Sequence, residues 1–355
     1  MLFEILAAYG ISSDESTILP FGAGLINNTW KISNNGKEYI LQCINHHVFR
    51  QPVFIAENLD LLSSYLNRRF PGYLFVKPIP ALDQSGMVYN PQYGYFRLFP
   101  FVSDSYTYEV VPASSLAFEA ARQFGRFTRL LSGFPAETLN ITLPDFHNLS
   151  LRYRQFEAAL SEGDAGRIEE AREPIDLIGR YKYILDQFED IKHHPGFKTR
   201  VTHHDTKISN VLFDRNGDGL CVIDLDTVMP GYFISDLGDM MRTYLSPVSE
   251  EEKDLSLISI REDYFKAIVS GYLGEMKTEL SADEIAHAVY AGKFMIYMQA
   301  LRFLTDHINR DVYYGAKYDG HNLVRARNQL TLLERLTEKE SALNRIVLNY
   351  IDGLE

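Results

Sequence analysis

The sequence predicts a two-lobed α+β fold, with a small, mainly antiparallel β amino-terminal lobe (1–101) and a larger, mainly helical carboxy-terminal lobe (102–355). Three observations lead to this prediction. The chain has 355 residues, more than one ordinary compact domain usually contains. Its first hundred residues favour strands, whereas helical patterns dominate after about residue 112. The change follows the segment 99–104, where we place the link between the lobes.

The amino-terminal lobe is predicted to run strand, strand, helix, strand, strand after a short amphipathic helix in the first ten residues. Residues 28–32 and 38–44 are rich in β-forming side chains and flank an Asn-Gly pair, which tolerates the positive φ angles of a hairpin turn. A second hairpin is predicted over residues 86–100. Between the hairpins, residues 53–70 carry apolar side chains at helical spacing.

Six longer segments of the second lobe have helical periodicity. They are residues 113–133, 150–161, 176–194, 252–273, 282–309 and 321–350. Strand signal returns only at 209–226, where a turn around Asn216 and Gly217 separates two apolar runs. This isolated hairpin directly follows a group of polar residues at 203–210.

Composition narrows the class of protein. With 35 basic and 47 acidic residues the net charge is −12, so binding to nucleic acid or to an anionic membrane is not favoured. Cys43 and Cys221 are too few for a disulfide framework or a thiolate metal site, and we expect buried free thiols in a reducing cytosol. The chain start lacks a basic leader and no apolar run would span a bilayer, so we predict a cytoplasmic protein with a small-molecule partner. The sequence gives no oligomeric state.

The segment 203–210, His-His-Asp-Thr-Lys-Ile-Ser-Asn, gathers groups that suit phosphoryl transfer. That reaction needs a carboxylate to accept a proton, an amide to hold Mg²⁺, and a second carboxylate to join the metal to the nucleotide. Asp205 and Asn210 have the Asp-x-x-x-x-Asn spacing of a kinase catalytic loop, and Lys207 could neutralise charge on the transferred group. Asp224 ends the next strand, where a hairpin would fold it back beside Asn210.

The same segments resemble the aminoglycoside phosphotransferase and choline kinase superfamily, which has a protein-kinase-like fold. The segments that carry this resemblance are 203–210, 222–226 and 236–239. A closer similarity, to the N-acetylhexosamine 1-kinase branch, is carried by 223–231, 302–306 and 321–323. The resemblance covers nearly the whole chain and is most specific in the catalytic segments.

The resemblance implies a role for each matching residue. Asp205, assisted by Lys207, would be the catalytic base; Asn210 and Asp224 would hold Mg²⁺; Asp236 would brace the catalytic loop. ATP would contact Gly22, Gly24, Asn28, Gln42, Glu57, Phe101 and Val102. We expect the phosphate acceptor to contact His204, Asp226, Arg302 and Asp306. An alternative interpretation is that Arg302 and Asp306, four residues apart on a helix, form only a surface ion pair.

Gln42 occupies the strand position where the family usually has a lysine. It can hydrogen-bond a phosphate oxygen but brings no charge, which Lys31 or Lys207 could supply instead. Glu57 sits where the family's helix glutamate is expected, without its usual lysine partner.

The resemblance implies that the acceptor is the anomeric hydroxyl of GlcNAc or GalNAc, in the salvage of glycan sugars. Two alternatives stay open: another acceptor, such as an aminoglycoside, choline or an amino-acid hydroxyl, and a nucleotide-binding pseudokinase, which Gln42 motivates. A zinc site shared by His203 and His204 is not favoured, because adjacent residues of an extended chain point to opposite sides. Residues 214–219 imitate the start of a calcium loop, but Leu225 stands at the twelfth position and we interpret them as a tight turn.

Overall fold

A computed structural model describes residues 2–14, 16–22 and 26–353. The chain divides into two compact units. The first unit contains the residues up to 106, together with 133–144 and 212–230, and the second contains 107–132, 145–211 and the residues from 231 onward. The lobe boundary between residues 101 and 102 stays a prediction, because the units are defined by compactness and take in later segments as well.

The secondary-structure elements of the first hundred residues are α1 (Leu2–Ala8), β1 (Ser16–Pro20), β2 (Asn28–Asn34), β3 (Lys37–Ile44), α2 (Pro52–Arg69), β4 (Val88–Asn90) and β5 (Gly94–Pro100). They are followed by α3 (Ser114–Leu130), α4 (Leu149–Glu162), α5 (Ala165–Glu170), α6 (Arg172–Arg180), α7 (Tyr183–His193), β6 (Arg200–Thr202), β7 (Val211–Phe213), β8 (Gly219–Val222) and β9 (Met229–Gly231). The last elements are α8 (Phe233–Tyr244), α9 (Glu262–Met276), α10 (Ala282–Ala286), α11 (Ala288–Ile308), α12 (His321–Glu338) and α13 (Glu340–Ile351).

The first unit is built on a five-stranded antiparallel sheet in the order β1-β2-β3-β5-β4. The predicted hairpin between β2 and β3 is confirmed, since Asn35 and Gly36 take positive φ angles of 48° and 74° at its turn. Strand β1 was not predicted. It is a short edge strand whose side chains are mostly exposed, so it lacks the alternating apolar pattern of a half-buried strand.

The two faces of this sheet differ in chemistry. Leu41, Phe96 and Leu98 are buried on one face in a cluster that also contains Ile5 and Leu6 of α1. Successive residues of a strand point to opposite faces, so the neighbours of these residues lie on the other side. Thr29 pairs with Gln42, and Gln42 with Arg97, which sets three polar side chains in a row across β2, β3 and β5.

The second unit is mainly helical, which confirms the predicted fold class. The helices predicted at 176–194, 282–309 and 321–350 are each divided in two. The helix predicted from residue 252 begins only at Glu262, because Asp254 accepts a hydrogen bond from the Ser256 N–H and favours a local turn over a helix. No helix in the described part of the chain has the length and apolar character needed to cross a membrane.

Helix α8 was missed by the sequence analysis. Nearly all of its residues are buried, including Asp236 and Asp239. Its apolar residues recur at helical spacing, so a periodic signal was present in the sequence; what the sequence does not reveal is that the two carboxylates are buried as well.

Candidate active site

The loop from His203 to Asn210 is held by two carboxylates of α8. Asp236 accepts the backbone N–H groups of His203 and His204, at 3.0 and 2.7 Å. Asp239 accepts the N–H of Thr206 at 2.8 Å. These bonds fix the loop even where His204 takes a left-handed φ of 67°, an unusual conformation for a side chain of this size. Asp236 and Asp239 therefore both brace this loop, and its catalytic role stays a prediction.

The two predicted catalytic residues, Asp205 and Lys207, meet the predicted metal ligand Asn210 within this loop. The Asn210 side chain donates from Nδ2 to the Asp205 carbonyl at 2.9 Å and to Asp205 Oδ2 at 3.1 Å. Lys207 Nζ lies 3.1 Å from Asp205 Oδ1. Burial by itself would raise the pKa of Asp205, but Lys207 and His203 outweigh it and hold that pKa below its usual range. Asp205 is consequently ionised at neutral pH, as a general base must be.

The side chains of His203 and His204 lie in different surroundings. His203 is fully buried, with its ring 5.0 Å from that of Phe124. The ring of His204 lies 5.2 Å from His147, and its Nδ1 lies 3.1 Å from the Thr202 carbonyl oxygen. Burial, then His204 and Arg302, lower the pKa of His147 well below its usual value, so His147 stays neutral.

Arg302 lies among aromatic rings in the second unit. Its guanidinium carbon is 5.7 Å from the ring centres of Phe146 and Tyr313 and 5.3 Å from that of Tyr314. Its Nη1 donates to Gln299 Oε1 at 3.2 Å. The alternative interpretation of Arg302 and Asp306 as a surface ion pair is wrong, because Asp306 is buried and has other partners.

Asp306 holds the loop that follows α11 through hydrogen bonds to its backbone. Its carboxylate accepts the backbone N–H groups of Tyr313 and Tyr314, at 2.7 and 2.9 Å, and the Asn322 side chain at 3.1 Å. It therefore fixes the two tyrosines that surround Arg302. Direct contact between Asp306 and an acceptor stays a prediction.

Asp224 and Asp226 belong to the first unit, in the turn after β8. Asp224 is exposed and takes left-handed angles, φ 57° and ψ 58°, which for a residue other than glycine are found mostly at constrained turns and functional sites. Asp226 is buried. Its Oδ1 lies 2.6 Å from Arg97 Nη1, and its Oδ2 accepts the Asn27 side chain at 2.9 Å.

Arg97 also contacts Gln42. Its Nε and Nη2 donate to Gln42 Oε1 at 3.1 and 2.9 Å, and Gln42 Nε2 donates to Thr29 Oγ1 at 3.3 Å. Sequence reasoning missed Arg97 and Asn27; the available signal was a lone arginine inside the apolar strand Gly94–Pro100. Asn28 pairs with Cys43, on the face opposite Gln42, so the strand register favours Asn27 over Asn28 as the asparagine of this site.

Neither Glu57 nor Lys31 is hydrogen-bonded to Gln42 among the residues that the structure describes. Glu57 is exposed and accepts the Asn140 side chain at 2.8 Å; within the described residues it forms no ion pair. Lys31 pairs with Glu38 at 2.7 Å. Asn58, the residue after Glu57 in α2, is buried; it donates to the carbonyls of Asn140 and Val228 and accepts the Asn140 N–H.

In the segment after β5, some backbone groups of Phe101 and Val102 are already hydrogen-bonded. The Phe101 N–H is not free, since it donates to the Glu38 carbonyl at 3.1 Å, and the Val102 carbonyl accepts Ser105 Oγ at 2.6 Å. In the described part of the chain, the Phe101 carbonyl and the Val102 N–H have no such partner.

Gly22 begins the loop between β1 and β2 with a φ of 76°, a conformation that suits glycine. It lines a cavity of about 210 Å³, together with Pro20, Phe21, Asn27, Asn28, Thr29 and Trp30. Gly24, the second glycine predicted to cover phosphate, lies outside the described residues. The segment 214–219 forms the predicted tight turn, in which Asp214 Oδ1 accepts the N–H groups of Asn216 and Asp218.

A helical unit, a small antiparallel sheet and a loop that joins a carboxylate, an amide and an ammonium group define the class of kinase-like phosphotransferases. The profile of the phosphotransferase enzyme family (APH) matches residues 17–264, which is more than half of the chain. The chain belongs to this family. It is a small-molecule kinase with an alcohol group as acceptor.

Solved structures share this fold. A microcompartment-associated aminopropanol kinase is 18% identical, with a TM-score of 0.63 over 97% of this chain and 98% of its own. An aminoglycoside phosphotransferase from Alicyclobacillus acidocaldarius is 14% identical, with a TM-score of 0.65 over 98% and 96%. An amicoumacin kinase in complex with AMP-PNP and Ca²⁺ is 16% identical, with a TM-score of 0.61 over 94% and 93%. At these identities the similarity concerns the fold.

Proposed function

We propose that this enzyme transfers the γ-phosphoryl group of ATP, with Mg²⁺, to the anomeric hydroxyl of an N-acetylhexosamine, GlcNAc or GalNAc. The observation that carries the proposal is the ionised Asp205, fixed by Asn210 and Lys207, in a unit that also contains the aromatic surroundings of Arg302. A role in carbohydrate salvage in the cytoplasm is part of the proposal. Two buried free cysteines support a reducing compartment.

In the proposed reaction Asp205 accepts the proton of the acceptor hydroxyl. The oxygen of that hydroxyl forms a bond to the γ-phosphorus of ATP. The bond between that phosphorus and the bridging oxygen breaks, and ADP leaves with the electron pair. Lys207 lies close enough to Asp205 to place its ammonium beside the transferred oxygens. Such a general base contributes about 10²–10⁴-fold to the rate.

Asn210 and Asp224 have the chemistry that Mg²⁺ requires. Because the Asn210 nitrogen is committed to Asp205, its carbonyl oxygen is the atom left for a metal, and Asp224 offers a carboxylate. The bound ion would neutralise charge on the phosphate oxygens.

Adenine suits the segment after β5. A purine with an exocyclic amino group needs a carbonyl acceptor and an N–H donor for its edge, and the Phe101 carbonyl and the Val102 N–H match that pair. The AMP-PNP in the amicoumacin kinase complex supports a nucleoside triphosphate as donor.

A neutral sugar fits the surroundings of Arg302 better than a cation does. Arg302 and His204 both lower the pKa of His147, which indicates positive surroundings. The Asp306 carboxylate already accepts three hydrogen bonds and is not free to bind a cation. An aminoglycoside or choline would need carboxylates that are free to meet its charge. A sugar needs aromatic walls and directional donors, which Tyr313, Tyr314 and Arg302 offer.

The test is ADP release with ATP and Mg²⁺ across a panel of GlcNAc, GalNAc, an aminoglycoside, choline and homoserine. We expect turnover with an N-acetylhexosamine, and a fall of about 10²–10⁴-fold in kcat for Asp205→Asn. Asp218→Asn, an exposed carboxylate in the turn between β7 and β8, is the matched control. Turnover with only the cationic acceptors would refute the assigned acceptor, and an unaffected Asp205→Asn would remove the base from the mechanism.

A further inference from the structure

Arg97 is the most deeply buried charged group of the sheet, and the proposed reaction does not yet use it. Its side chain is 2 % exposed, and the carboxylate it meets, Asp226, is 3 % exposed. Burying a charged pair costs desolvation energy that a pair of apolar residues would avoid. A buried pair of this kind therefore suggests a role other than stability, such as the orientation of groups that bind a ligand.

Arg97 fixes the orientation of the Gln42 amide. Two N–H groups of one guanidinium point at the same amide oxygen, at 3.1 and 2.9 Å, so that atom must be Oε1 and the nitrogen must face away from Arg97. One of the two Nε2 hydrogens reaches Thr29. Among the described residues the second has no partner, and Gln42 is only half-buried.

Gln42 stands at the strand position where protein kinases have a phosphate-binding lysine, so the direction of its amide nitrogen matters for nucleotide binding. In protein kinases a lysine on the third strand binds the nucleotide phosphates and pairs with a helix glutamate. Gln42 lies on β3, and its neighbour Thr29 lines the cavity beside Gly22. Glu57 pairs with no cation in the described residues, so the kinase ion pair is absent from α2 here.

We propose that Arg97, anchored by Asp226, is a positioning residue that presents the Gln42 amide nitrogen to the nucleotide phosphates in place of the strand lysine. The Arg97–Asp226 pair is close to neutral as a whole, so the clamp acts through a directed N–H donor and not through a net charge. Arginine is suited to this task because its planar fork reaches Gln42 and Asp226 together, which a single ammonium group does not. The inference rests on the proposed function.

The test compares the equilibrium affinities of ADP and adenosine, without acceptor or metal. The ratio of the two dissociation constants isolates the phosphate contribution and is insensitive to the fraction of folded protein. For Gln42→Met, which leaves the Arg97–Asp226 pair in place, we expect the preference for ADP to fall about tenfold or more, since a hydrogen bond to a charged group is lost. Gln92→Met, at an exposed glutamine of the first unit, should leave it unchanged.

Arg97→Lys separates positioning from charge. It keeps a cation for Asp226 but loses the fork on Gln42, so we expect the same loss of ADP preference as in Gln42→Met. If Arg97→Lys destabilises the fold, Gln42→Met alone still decides. If the wild type prefers ADP and both variants keep that preference, this inference is wrong and the proposed function is unaffected. A wild-type protein that binds ADP no better than adenosine overturns both.

Discussion

Asn210 turns its side-chain nitrogen toward Asp205, 2.9 Å from the backbone carbonyl oxygen and 3.1 Å from Oδ2 of that residue. One amide thus holds the proposed base from two sides, and its own oxygen faces the other way. The spacing of the two residues in the sequence is shared with protein kinases, and this contact gives the spacing a physical reason.

Asn210→Asp should be severely impaired, because it sets a second carboxylate against Asp205 and removes the donor. We expect kcat to fall about 10²–10⁴-fold. ADP affinity measured without Mg²⁺ should stay the same. Asn67→Asp, at an exposed position of α2, is the matched control, and a near-normal kcat for Asn210→Asp would contradict the role of this amide.

Arg302→Lys should weaken acceptor binding. The lysine keeps the charge but loses the planar group that donates to Gln299 and lies among three aromatic rings. We expect the KM for the acceptor to rise about tenfold or more, while the KM for ATP changes little. Steady-state kinetics with each substrate varied in turn measure both. Arg335→Lys, at a surface ion pair, should change neither; equal effects on the two KM values would contradict an acceptor role.

Gly231→Ala should destabilise the protein, because an added Cβ would collide with the His204 ring and lie 3.1 Å from Thr202 Oγ1. Overpacking of this kind costs about 1–3 kcal/mol in the free energy of unfolding. Gly179→Ala is the matched control, since nothing lies within 4 Å of its added Cβ and the site is helical. That variant should be neutral or slightly more stable. Urea denaturation distinguishes the two, and equal stabilities would show that His204 yields easily.

Glu250 should make the stability of the protein depend on pH in the acid range. Burial by itself would raise its pKa, but Arg242 and Arg325 outweigh burial and hold the pKa below its usual value. A carboxyl whose pKa is lower in the folded than in the unfolded state stabilises the protein at neutral pH. That contribution is lost as pH falls below about 5 and through the folded-state pKa.

Glu250→Gln tests this dependence. At pH 7 the variant should have a free energy of unfolding about 1–3 kcal/mol lower than the wild type, because two buried guanidinium groups lose a charged partner. The difference should shrink as both proteins are acidified. Glu338→Gln, in an exposed pair, should cost less than about 1 kcal/mol at either pH. A difference that does not vary with pH would contradict the electrostatic origin.

The local features of this protein could be predicted from its sequence. The hairpin around Asn35 and Gly36, helix α2 and the loop from Asp205 to Asn210 depend on spacings of a few residues, so the sequence alone carries their signal. The family assignment followed from such segments and is confirmed. Helix α8 was missed although Phe233, Leu237, Met240 and Tyr244 recur at helical spacing, and nothing in its local sequence reveals that Asp236 and Asp239 are buried.

By itself, then, the sequence determined the fold class, the order of most elements and the family. Only the tertiary structure decided which distant side chains meet: that Arg97 contacts Gln42 and Asp226, that Asn58 is buried where its neighbour Glu57 is exposed, and that Asp306 holds the loop after α11. The reason is physical. Strand register brings residues 42 and 97 together, and the packing of the turn after β8 brings Asp226 to Arg97. Both depend on the packing of the whole unit, which no short stretch of sequence encodes.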